Sequence, residues 1–321
     1  MPRLEYVKLG KTEERISRIG LGAWQFSDAW GLTDYERAKE IIKKAYELGI
    51  TLIDTAMVYG MGMSERFIGQ ALRDLQIKRD EVFIVTKIPG EYLNRDDVFR
   101  AVRGSLSRLQ SDHIDALLAH WPPAWHNYPT CEYAKAFEAL VRMGKVRYIG
   151  LSNFPIALVE EFRSCLAKHD IEIFEIRYNI VERRAEEEHI PYAEANGITV
   201  LAWSPLAQGA VLGKYRPEDV SKLQDVRRGN PLFRPENYSQ ILKLVEAMKE
   251  IAEKRGKTLS QVALNFIMMA SPVVVPIPGA KSPQQVEENA GAAGWSLTYE
   301  EWSRLDEISR SLRISYVTIP D

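Results

Sequence analysis

Short apolar runs alternate along the chain with longer stretches in which apolar residues recur every three or four positions. The short runs have the length and composition of buried β-strands, and the longer stretches have the spacing of amphipathic helices. Eight runs are strand candidates, at residues 19–22, 51–54, 82–86, 116–119, 148–151, 173–176, 199–203 and 273–276. A strand, a helix and two loops need about 30 residues, so the alternation predicts a repeated βα unit.

Eight such units without linker-like composition between them predict an α/β fold, a (β/α)8 TIM barrel, in a single domain over residues 1–321. Residues 6–9 and 16–19 flank a Gly10-Lys11 turn and predict an N-terminal β-hairpin. Residues 207–237 hold six glycines and prolines, so we expect a long loop after the seventh strand. At the C-terminal end we expect extra helices and an apolar tail, residues 312–319, that packs across one mouth of the barrel.

Four polar residues, Asp54, Lys87, His120 and Asn153, stand near the ends of predicted strands with a constant spacing of 33 positions. In a parallel barrel the C-terminal strand ends meet at one rim, where such barrels carry their chemistry. Polar residues often end strands for structural reasons alone. An acid, a lysine, a histidine and an amide converging on one rim nevertheless indicate a functional site.

Composition narrows the function classes. The chain is 45% apolar and 27% charged, and its formal net charge of −2 gives no electrostatic reason to bind nucleic acid or anionic membranes. The first residues lack a secretory apolar region, and no apolar stretch is long enough to span a bilayer, so we expect a cytoplasmic protein. We also expect a monomer or a weak homo-oligomer. Cys131 and Cys165 are too few for a disulfide framework or a zinc site, which favours a reducing compartment and no metal.

A fifth candidate is Tyr59, five residues after Asp54 and therefore in the loop above the same strand end. A phenol has a pKa near 10, so at neutral pH it holds its proton firmly. The Lys87 ammonium can stabilise the developing phenolate, and Asp54 can hold that ammonium in place. His120 offers an imidazole N–H to a carbonyl oxygen. Together these residues predict a device that protonates a carbonyl oxygen while another group attacks the carbonyl carbon.

These residues and several motifs resemble the aldo-keto reductases, whose barrel carries an Asp, Tyr, Lys, His tetrad. The resemblance covers almost the whole chain and rests on motifs in the same order. They are Gly20-Leu21-Gly22-Ala23-Trp24, Asp54-Thr55-Ala56 through Tyr59-Gly60 to Ser64-Glu65, Thr86-Lys87, His120-Trp121-Pro122, Gly144 to Phe154, Trp203-Ser204-Pro205-Leu206 and Pro276 to Lys281 with Glu288-Asn289. The resemblance implies hydride transfer from NADPH, so we expect an enzyme that reversibly reduces aldehydes and ketones.

The resemblance also implies cofactor contacts. By that similarity Ser152 and Asn153 bind the nicotinamide carboxamide and Trp203 stacks on its ring. Glu175 stands where the family usually has a glutamine, and a carboxylate cannot donate a hydrogen bond back to the amide. The similarity assigns the remaining contacts to Gly22 and Trp24, to the strap residues Ser204, Pro205, Leu206, Gln208 and Gly209, and to the adenosine-end residues Gly279, Lys281, Ser282, Gln285, Glu288 and Asn289.

The sequence around Lys281 also indicates a phosphate-binding site, independently of the resemblance. Ser282 before Pro283 fits a helix N-cap with proline in the first turn, and helix N-termini attract anions, so Lys281, Ser282 and Gln285 are candidates for the 2′-phosphate. Gly20-x-Gly22 has no third glycine, which argues against a Rossmann cofactor site. Trp24, Trp30, Trp121 and Trp125 lie beyond the first and fourth strand ends and predict an aromatic substrate pocket.

Two other functions fit parts of the pattern. A lysine at a barrel strand end can form a Schiff base, so Lys87 could serve an aldolase, although Asp54 would keep it protonated. Potassium-channel β subunits are similar to aldo-keto reductases, keep NADPH and act mainly as redox-sensing partners. Because the first barrel strand follows within about 20 residues of the first residue, we expect no long N-terminal extension for that role.

Overall fold

The computed structural model describes residues 4–123 and 126–316 and has the fold of a (β/α)8 barrel. Eight parallel strands, β3 to β10, pair in chain order. The strands are β1 Tyr6–Lys8, β2 Arg15–Ser17, β3 Leu21–Gly22, β4 Leu52–Asp54, β5 Phe83–Ile88, β6 Ile114–Ala119, β7 Val146–Ser152, β8 Ile171–Arg177, β9 Thr199–Trp203 and β10 Val274–Pro276. All eight strand candidates are therefore confirmed, with boundaries that move by a few residues.

Helices follow the barrel strands and surround the sheet. They are α1 Tyr35–Glu47, α2 Met63–Asp74, α3 Arg95–Leu109, α4 Thr130–Arg142, α5 Ile156–Ser164, α6 His189–Asn196, α7 Pro235–Arg255, α8 Leu259–Ala270, α9 Pro283–Ala290 and α10 Tyr299–Ser311. Their apolar faces and the outward side chains of the strands form one large buried cluster. None of the helices in the described part of the chain has both the length and the apolarity needed to cross a membrane.

The first and last barrel strands close the ring. Gly20 N donates to Pro276 O at 2.9 Å, Gly22 N donates to Pro278 O at 3.0 Å, and Gly22 pairs with Gly279 as a parallel bridge. A Cβ on Gly22 would lie 2.6 Å from a backbone oxygen of the last segment. Glycine is therefore required where β3 meets the chain beyond β10.

Strand alternation decides which side chains enter the barrel. Phe83 and Val85 of β5 belong to the interior cluster, whereas Ile84 and Ile88 face the helices. Side chains alternate between the two faces of a strand, so Lys87 continues the inward row. The hairpin residues Leu9 and Ile16 join the same interior cluster, which places the predicted hairpin β1–β2 across the N-terminal end of the barrel.

The expected long connection after the seventh barrel strand is present at residues 207–237, but it is not without secondary structure. Four short 3₁₀ helices occupy the region, at Ala207–Leu212, Pro217–Lys222, Val226–Gly229 and Pro231–Phe233, and α7 begins at Pro235. Buried Val220, Leu232 and Phe233 anchor these turns in the main core. Because these apolar residues occur one or two at a time, without strand or helix periodicity, the sequence pattern did not reveal them.

The C-terminal tail packs as far as it is described. Leu312 and Ile314 lie against the main core. The backbone of Ser315 exchanges two hydrogen bonds with the Asn237 side chain, at 2.8 and 2.9 Å. The last part of the predicted tail, residues 317–319, lies outside the described residues. The tail is therefore fastened to the start of α7.

The two cysteines, expected to be too few for a disulfide framework, do pair with each other. Cys131 and Cys165 form a disulfide, with their Cα atoms 5.0 Å apart. Cys131 lies in the first turn of α4 and Cys165 ends α5, and these two helices pack side by side. Two cysteines 34 positions apart give no sign of this proximity until the helices are placed. The argument from cysteine usage for a reducing compartment therefore loses its basis.

Candidate active site

A cavity of about 650 Å³ opens at the C-terminal ends of the barrel strands. It brings together most of the residues selected from the sequence. Those that line it are Gly22, Trp24, Trp30, Asp54, Tyr59, His120, Trp121, Asn153, Glu175, Trp203, Ser204, Pro205, Leu206, Gln208, Gly209, Gly279, Lys281, Gln285, Glu288 and Asn289. The inner end of the cavity contains the Asp54 and Tyr59 side chains, and the outer end contains Lys281 and Gln285.

Three selected residues in the described part of the chain do not line the cavity. Lys87 is fully buried directly behind Asp54. Ser152, predicted to touch a cofactor, has a fully buried hydroxyl that accepts a hydrogen bond from the Asn153 amide at 3.0 Å. Ser282 uses its hydroxyl to cap α9. Trp125 lies outside the described residues. A residue can therefore stand at a barrel strand end or in a rim loop, as the sequence predicts, and still not contact the cavity.

Lys87 is the centre of the inner end. Its Nζ donates to Asp54 Oδ1 and Oδ2 at 2.7 and 2.8 Å and to the carbonyl oxygen of Thr55 at 2.8 Å. The same nitrogen lies 3.3 Å from Tyr59 Oη and 3.3 Å from Glu175 Oε2. An ammonium, two carboxyl groups and a phenol are thus joined within hydrogen-bond range, all with little access to water.

The turn after Tyr59 fixes the direction of its phenol. Gly60, Met61 and Gly62 have φ of 55°, 52° and 84°, so the chain reverses in three left-handed residues before α2 begins. A Cβ on Gly60 would lie 2.9 Å from the Cβ of Met63. This conformation favours glycine and explains the Tyr59-Gly60 pair at the cavity wall.

Buried polar contacts hold the same loop against the strands. Ser64 Oγ lies 2.8 Å from Thr55 Oγ1, one residue after Asp54. Glu65 accepts a hydrogen bond from Thr86 on β5 at 2.6 Å and pairs with Arg108 of α3 at 2.6 Å. The Ser64-Glu65 motif therefore has a structural role: it fastens the start of α2, which follows the Tyr59 loop, to β5, α3 and the residue after Asp54.

The carboxyl groups of the inner end cannot both carry charge easily. Burial raises the pKa of Asp54, but the Lys87 ammonium and a hydrogen bond from Glu175 oppose this shift. Burial and then the Asp54 charge raise the pKa of Glu175 well above its usual range. For Lys87, burial alone would lower the pKa, but the two carboxyl groups outweigh it and the pKa is raised. These effects favour Asp54 as the ionised partner of Lys87 and disfavour the ionised form of Glu175.

The phenol and the imidazole are both neutral at pH 7. Burial raises the pKa of Tyr59, while the Lys87 ammonium opposes the increase. Burial and then the same ammonium lower the pKa of His120 well below its usual value. The His120 ring packs against Tyr59 and Trp121, with centroids 5.7 and 4.3 Å away. A neutral phenol and a neutral imidazole can each donate a proton or a hydrogen bond to one oxygen atom placed between them.

Asn153 and Trp203 form the adjoining wall. Asn153 has a left-handed backbone with φ of 58°, which turns its side chain across the rim. Its Nδ2 donates to the backbone oxygen of His120 at 3.1 Å, and its Oδ1 accepts from Trp203 Nε1 at 3.0 Å. The Arg177 guanidinium lies 4.9 Å from the Trp203 ring centre. These contacts fix a planar indole and an amide side by side in the cavity.

The outer end carries positive charge. Ser282 accepts a hydrogen bond from the third residue of α9 and Pro283 begins the helix, which confirms the predicted N-cap. Lys281 Nζ lies 4.9 Å from the centre of the Trp30 ring. Burial and then the nearby Arg227 charge lower the pKa of Lys281. A lysine whose charge is disfavoured in this way gains from an anionic ligand.

Sequence reasoning missed part of the wall. The missed lining residues are Gln25, Val58, Leu212, Lys214, Tyr215, Arg227, Ser260, Ile277 and Pro278. Arg227 is the most informative, because it pairs with Asp225 at 2.6 Å, donates to Tyr215 Oη at 2.8 Å and lies 5.9 Å from the Trp30 ring centre. The sequence signal that could have identified Arg227 is the presence of basic residues in a glycine-containing stretch after the seventh strand.

Comparison with known proteins gives a consistent result. The family model described as Aldo/keto reductase family matches residues 18–310. The chain is 35% identical to aldo-keto reductase YhdN of Bacillus subtilis, over 95% of this chain and 93% of that protein. It is 30% identical to the NADH-specific methylglyoxal reductase of Escherichia coli, over 96% and 99%. It is 32% identical to a putative voltage-gated potassium channel subunit beta of Schizosaccharomyces pombe, over 94% and 92%.

Solved structures agree. The glycerol dehydrogenase AKR11B4 from Gluconobacter oxydans superposes with a TM-score of 0.85 at 29% identity, over 100% of this chain and 99% of that one. An aldo-keto reductase from Klebsiella pneumoniae in complex with NADPH superposes with a TM-score of 0.75 at 26% identity, over 99% of each chain. The family model and these relatives cover the barrel and every residue of the inner end, and the chain therefore belongs to the aldo/keto reductase family.

Proposed function

We propose that this chain reduces aldehydes and ketones to alcohols, reversibly, with NADPH as hydride donor and Tyr59 as general acid. The observation that carries the proposal is the arrangement of Tyr59 Oη 3.3 Å from Lys87 Nζ, which Asp54 holds at 2.7 and 2.8 Å, on the wall of a large cavity. This arrangement joins a proton donor to a fixed positive charge, as general acid catalysis of carbonyl reduction requires.

The cavity suits a dinucleotide phosphate. Its volume of about 650 Å³ is in the usual range for cofactor sites. Lys214, Arg227 and Lys281 supply cations at the outer end, beside the N-terminus of α9. At the inner end Asn153 and Trp203 supply an amide and a flat ring. These donors would hold phosphates at one end and a nicotinamide at the other, and the bound cofactor would supply the hydride.

Each inner residue then has a role. Tyr59 donates its proton to the carbonyl oxygen, and Lys87 stabilises the phenolate that remains. Asp54 keeps the ammonium charged and in position. His120 stays neutral and donates a hydrogen bond to the same oxygen. Trp24, Trp30 and Trp121 provide apolar walls on the substrate side, which favours aromatic or apolar carbonyl compounds.

The aldolase alternative is not favoured. Lys87 has no exposed surface, does not line the cavity and has a raised pKa, so its amine is neither accessible nor deprotonated. Borohydride trapping of a substrate adduct would establish that alternative. The regulatory-subunit alternative shares the same cofactor cavity, so turnover decides between the two.

The test is a panel of aldehydes and ketones given to the purified protein with NADPH or NADH, monitored by the absorbance of the reduced nicotinamide. We expect carbonyl-dependent oxidation, faster with NADPH because of the cationic outer end. Tight NADPH binding without turnover on any carbonyl would contradict the enzymatic proposal and support the regulatory role. Absence of binding by either nucleotide would contradict the assignment of the cavity.

A further inference from the structure

Glu175 is the one acidic side chain of the inner end that the proposed mechanism does not use. It stands on β8, 2% exposed, and lines the cavity. Its Oε2 lies 3.3 Å from Lys87 Nζ but has no hydrogen-bond partner among residues 4–123 and 126–316. The ammonium protons are already directed to Asp54, Thr55 and Tyr59. Glu175 therefore lines the cavity with one buried carboxyl oxygen that lacks a hydrogen bond in the described part of the chain, and its side chain lies beside Lys87 and Asp54.

The charges around this carboxyl group do not balance if it ionises. Lys87 contributes one positive charge and Asp54 one negative charge, so a Glu175 carboxylate would leave one uncompensated negative charge in a buried site. The residues paired with Glu175 on the neighbouring strands, Ser152 on β7 and Leu201 on β9, are neutral. Burying an unpaired charge is costly, and a carboxyl group avoids that cost by keeping its proton. The raised pKa of Glu175 agrees with this balance.

The reaction changes the charge of the molecule beside Glu175. Reduced nicotinamide is neutral and oxidised nicotinamide is a cation, while the rest of the cofactor keeps its charge. We propose that Glu175 keeps its proton in the free and NADPH-bound protein and releases it when NADP⁺ binds, so that its carboxylate balances the cationic ring. This inference rests on the proposed function, which places the nicotinamide beside Asn153 and Trp203.

The proton balance of a turnover follows. Tyr59 gives its proton to the alcohol product and regains one through Lys87, and Glu175 supplies that proton and becomes a carboxylate. Glu175 takes a proton from solvent when NADP⁺ leaves. One proton is therefore consumed per carbonyl reduced, as the overall reaction requires. A glutamine at this position could donate a hydrogen bond but could not release a proton at neutral pH.

Proton release on nucleotide binding tests the inference directly, without turnover. Calorimetric titrations with NADP⁺ and with NADPH, each in buffers of low and high ionisation enthalpy, give the number of protons exchanged. NADPH is the matched ligand, because both nucleotides carry the same phosphates. We expect up to one proton more to be released with NADP⁺ than with NADPH. As the pH rises, the dissociation constant of NADP⁺ should fall by up to tenfold per pH unit, whereas that of NADPH should not show this fall. The effect lasts over the pH range in which Glu175 of the free protein is protonated.

Two variants identify the source of the proton. Glu175→Gln should bind both nucleotides and abolish the extra release, whereas Tyr59→Phe should preserve it. Equal proton release with both nucleotides in the wild-type protein would overturn the inference. So would extra proton release with NADP⁺ that persists in Glu175→Gln, or that disappears in Tyr59→Phe. If Glu175→Gln does not fold, the comparison of proton release with NADP⁺ and NADPH in the wild-type protein still tests the inference. Failure to bind either nucleotide would instead contradict the proposed function.

Discussion

The inner and outer ends of the cavity are built differently. At the inner end, Asp54 holds the Lys87 ammonium at 2.7 Å, and that ammonium lies 3.3 Å from Tyr59 Oη. Asp54 and Lys87 are buried, and Tyr59 is half-buried. At the outer end, Lys281 and Arg227 come from loops and lie 4.9 and 5.9 Å from the centre of a shared indole ring. Proton transfer requires donor and acceptor within hydrogen-bond reach, whereas attraction of a phosphate tolerates longer distances. Buried strand-end residues therefore position the proton donor Tyr59, and loop residues carry the charge recognition.

Removal of the Tyr59 hydroxyl should have the largest effect. Tyr59→Phe should lower kcat for aldehyde reduction by about 10² to 10⁴, because a positioned proton donor contributes that much, and should leave NADPH binding nearly intact. Steady-state kinetics with a fluorescence titration of NADPH provide the measurement. Tyr215→Phe is the matched control, since its hydroxyl contacts Arg227 at the outer end. It should lower kcat far less. Retention of more than about a tenth of wild-type kcat in Tyr59→Phe, with chemistry rate-limiting, would assign the proton to another group.

The disulfide tests whether the inner end depends only on the strands. Cys131→Ser with Cys165→Ser should lower the free energy of unfolding by about 2 to 4 kcal/mol, because the bond closes a loop between residues 34 positions apart. The bond joins two outer helices, so kcat should change by less than about twofold. Chemical denaturation of the variant, with reduced wild-type protein as control, provides the measurement. A large loss of kcat at unchanged stability would show that the outer helices position the strand ends.

Lys281 tests the charge recognition of the outer end. Lys281→Ala should weaken NADPH by about 10- to 150-fold, the equivalent of a charge-assisted contact worth about 1.5 to 3 kcal/mol. NADH lacks the 2′-phosphate and should bind almost as before. Lys257→Ala is the matched control, because Lys257 Nζ lies 5.1 Å from the Trp295 ring centre, away from the cavity. Equal weakening of both nucleotides would mean that Lys281 contacts their shared part or supports the fold.

The same difference between the two ends explains how much the sequence could predict. The constant spacing of Asp54, Lys87 and His120 follows from the size of a βα unit, and alternation along β5 places Lys87 inside the barrel. Both are periodic features that a sequence displays. Arg227 reaches the cavity through turns anchored by a few scattered apolar residues, and Cys131 reaches Cys165 through helix packing. Such contacts depend on three-dimensional packing and leave no periodic signal.

Arg227 gives the smallest predicted effect and the sharpest test of the loop region at residues 207–237. Its guanidinium is held by Asp225 and Tyr215 and lies over Trp30, so it links this region to the first barrel loop across the cavity. We expect the region to act as a strap that limits cofactor release. A partly exposed cation–π contact is worth about 0.5 to 1 kcal/mol, so Arg227→Ala should speed NADPH dissociation by about two- to fivefold.

Stopped-flow displacement of NADPH measures this rate, and neighbouring Arg228, exposed and off the cavity wall, offers the matched control Arg228→Ala. A strap also predicts that NADPH protects Arg216, Lys222 and Arg227 from limited trypsin digestion. The strap hypothesis would be contradicted if NADPH dissociated at equal rates from the two variants and trypsin cleaved the region equally with and without NADPH. The buried Val220 and Phe233 would then make the region a fixed wall, with cofactor release governed by the phosphate contacts alone.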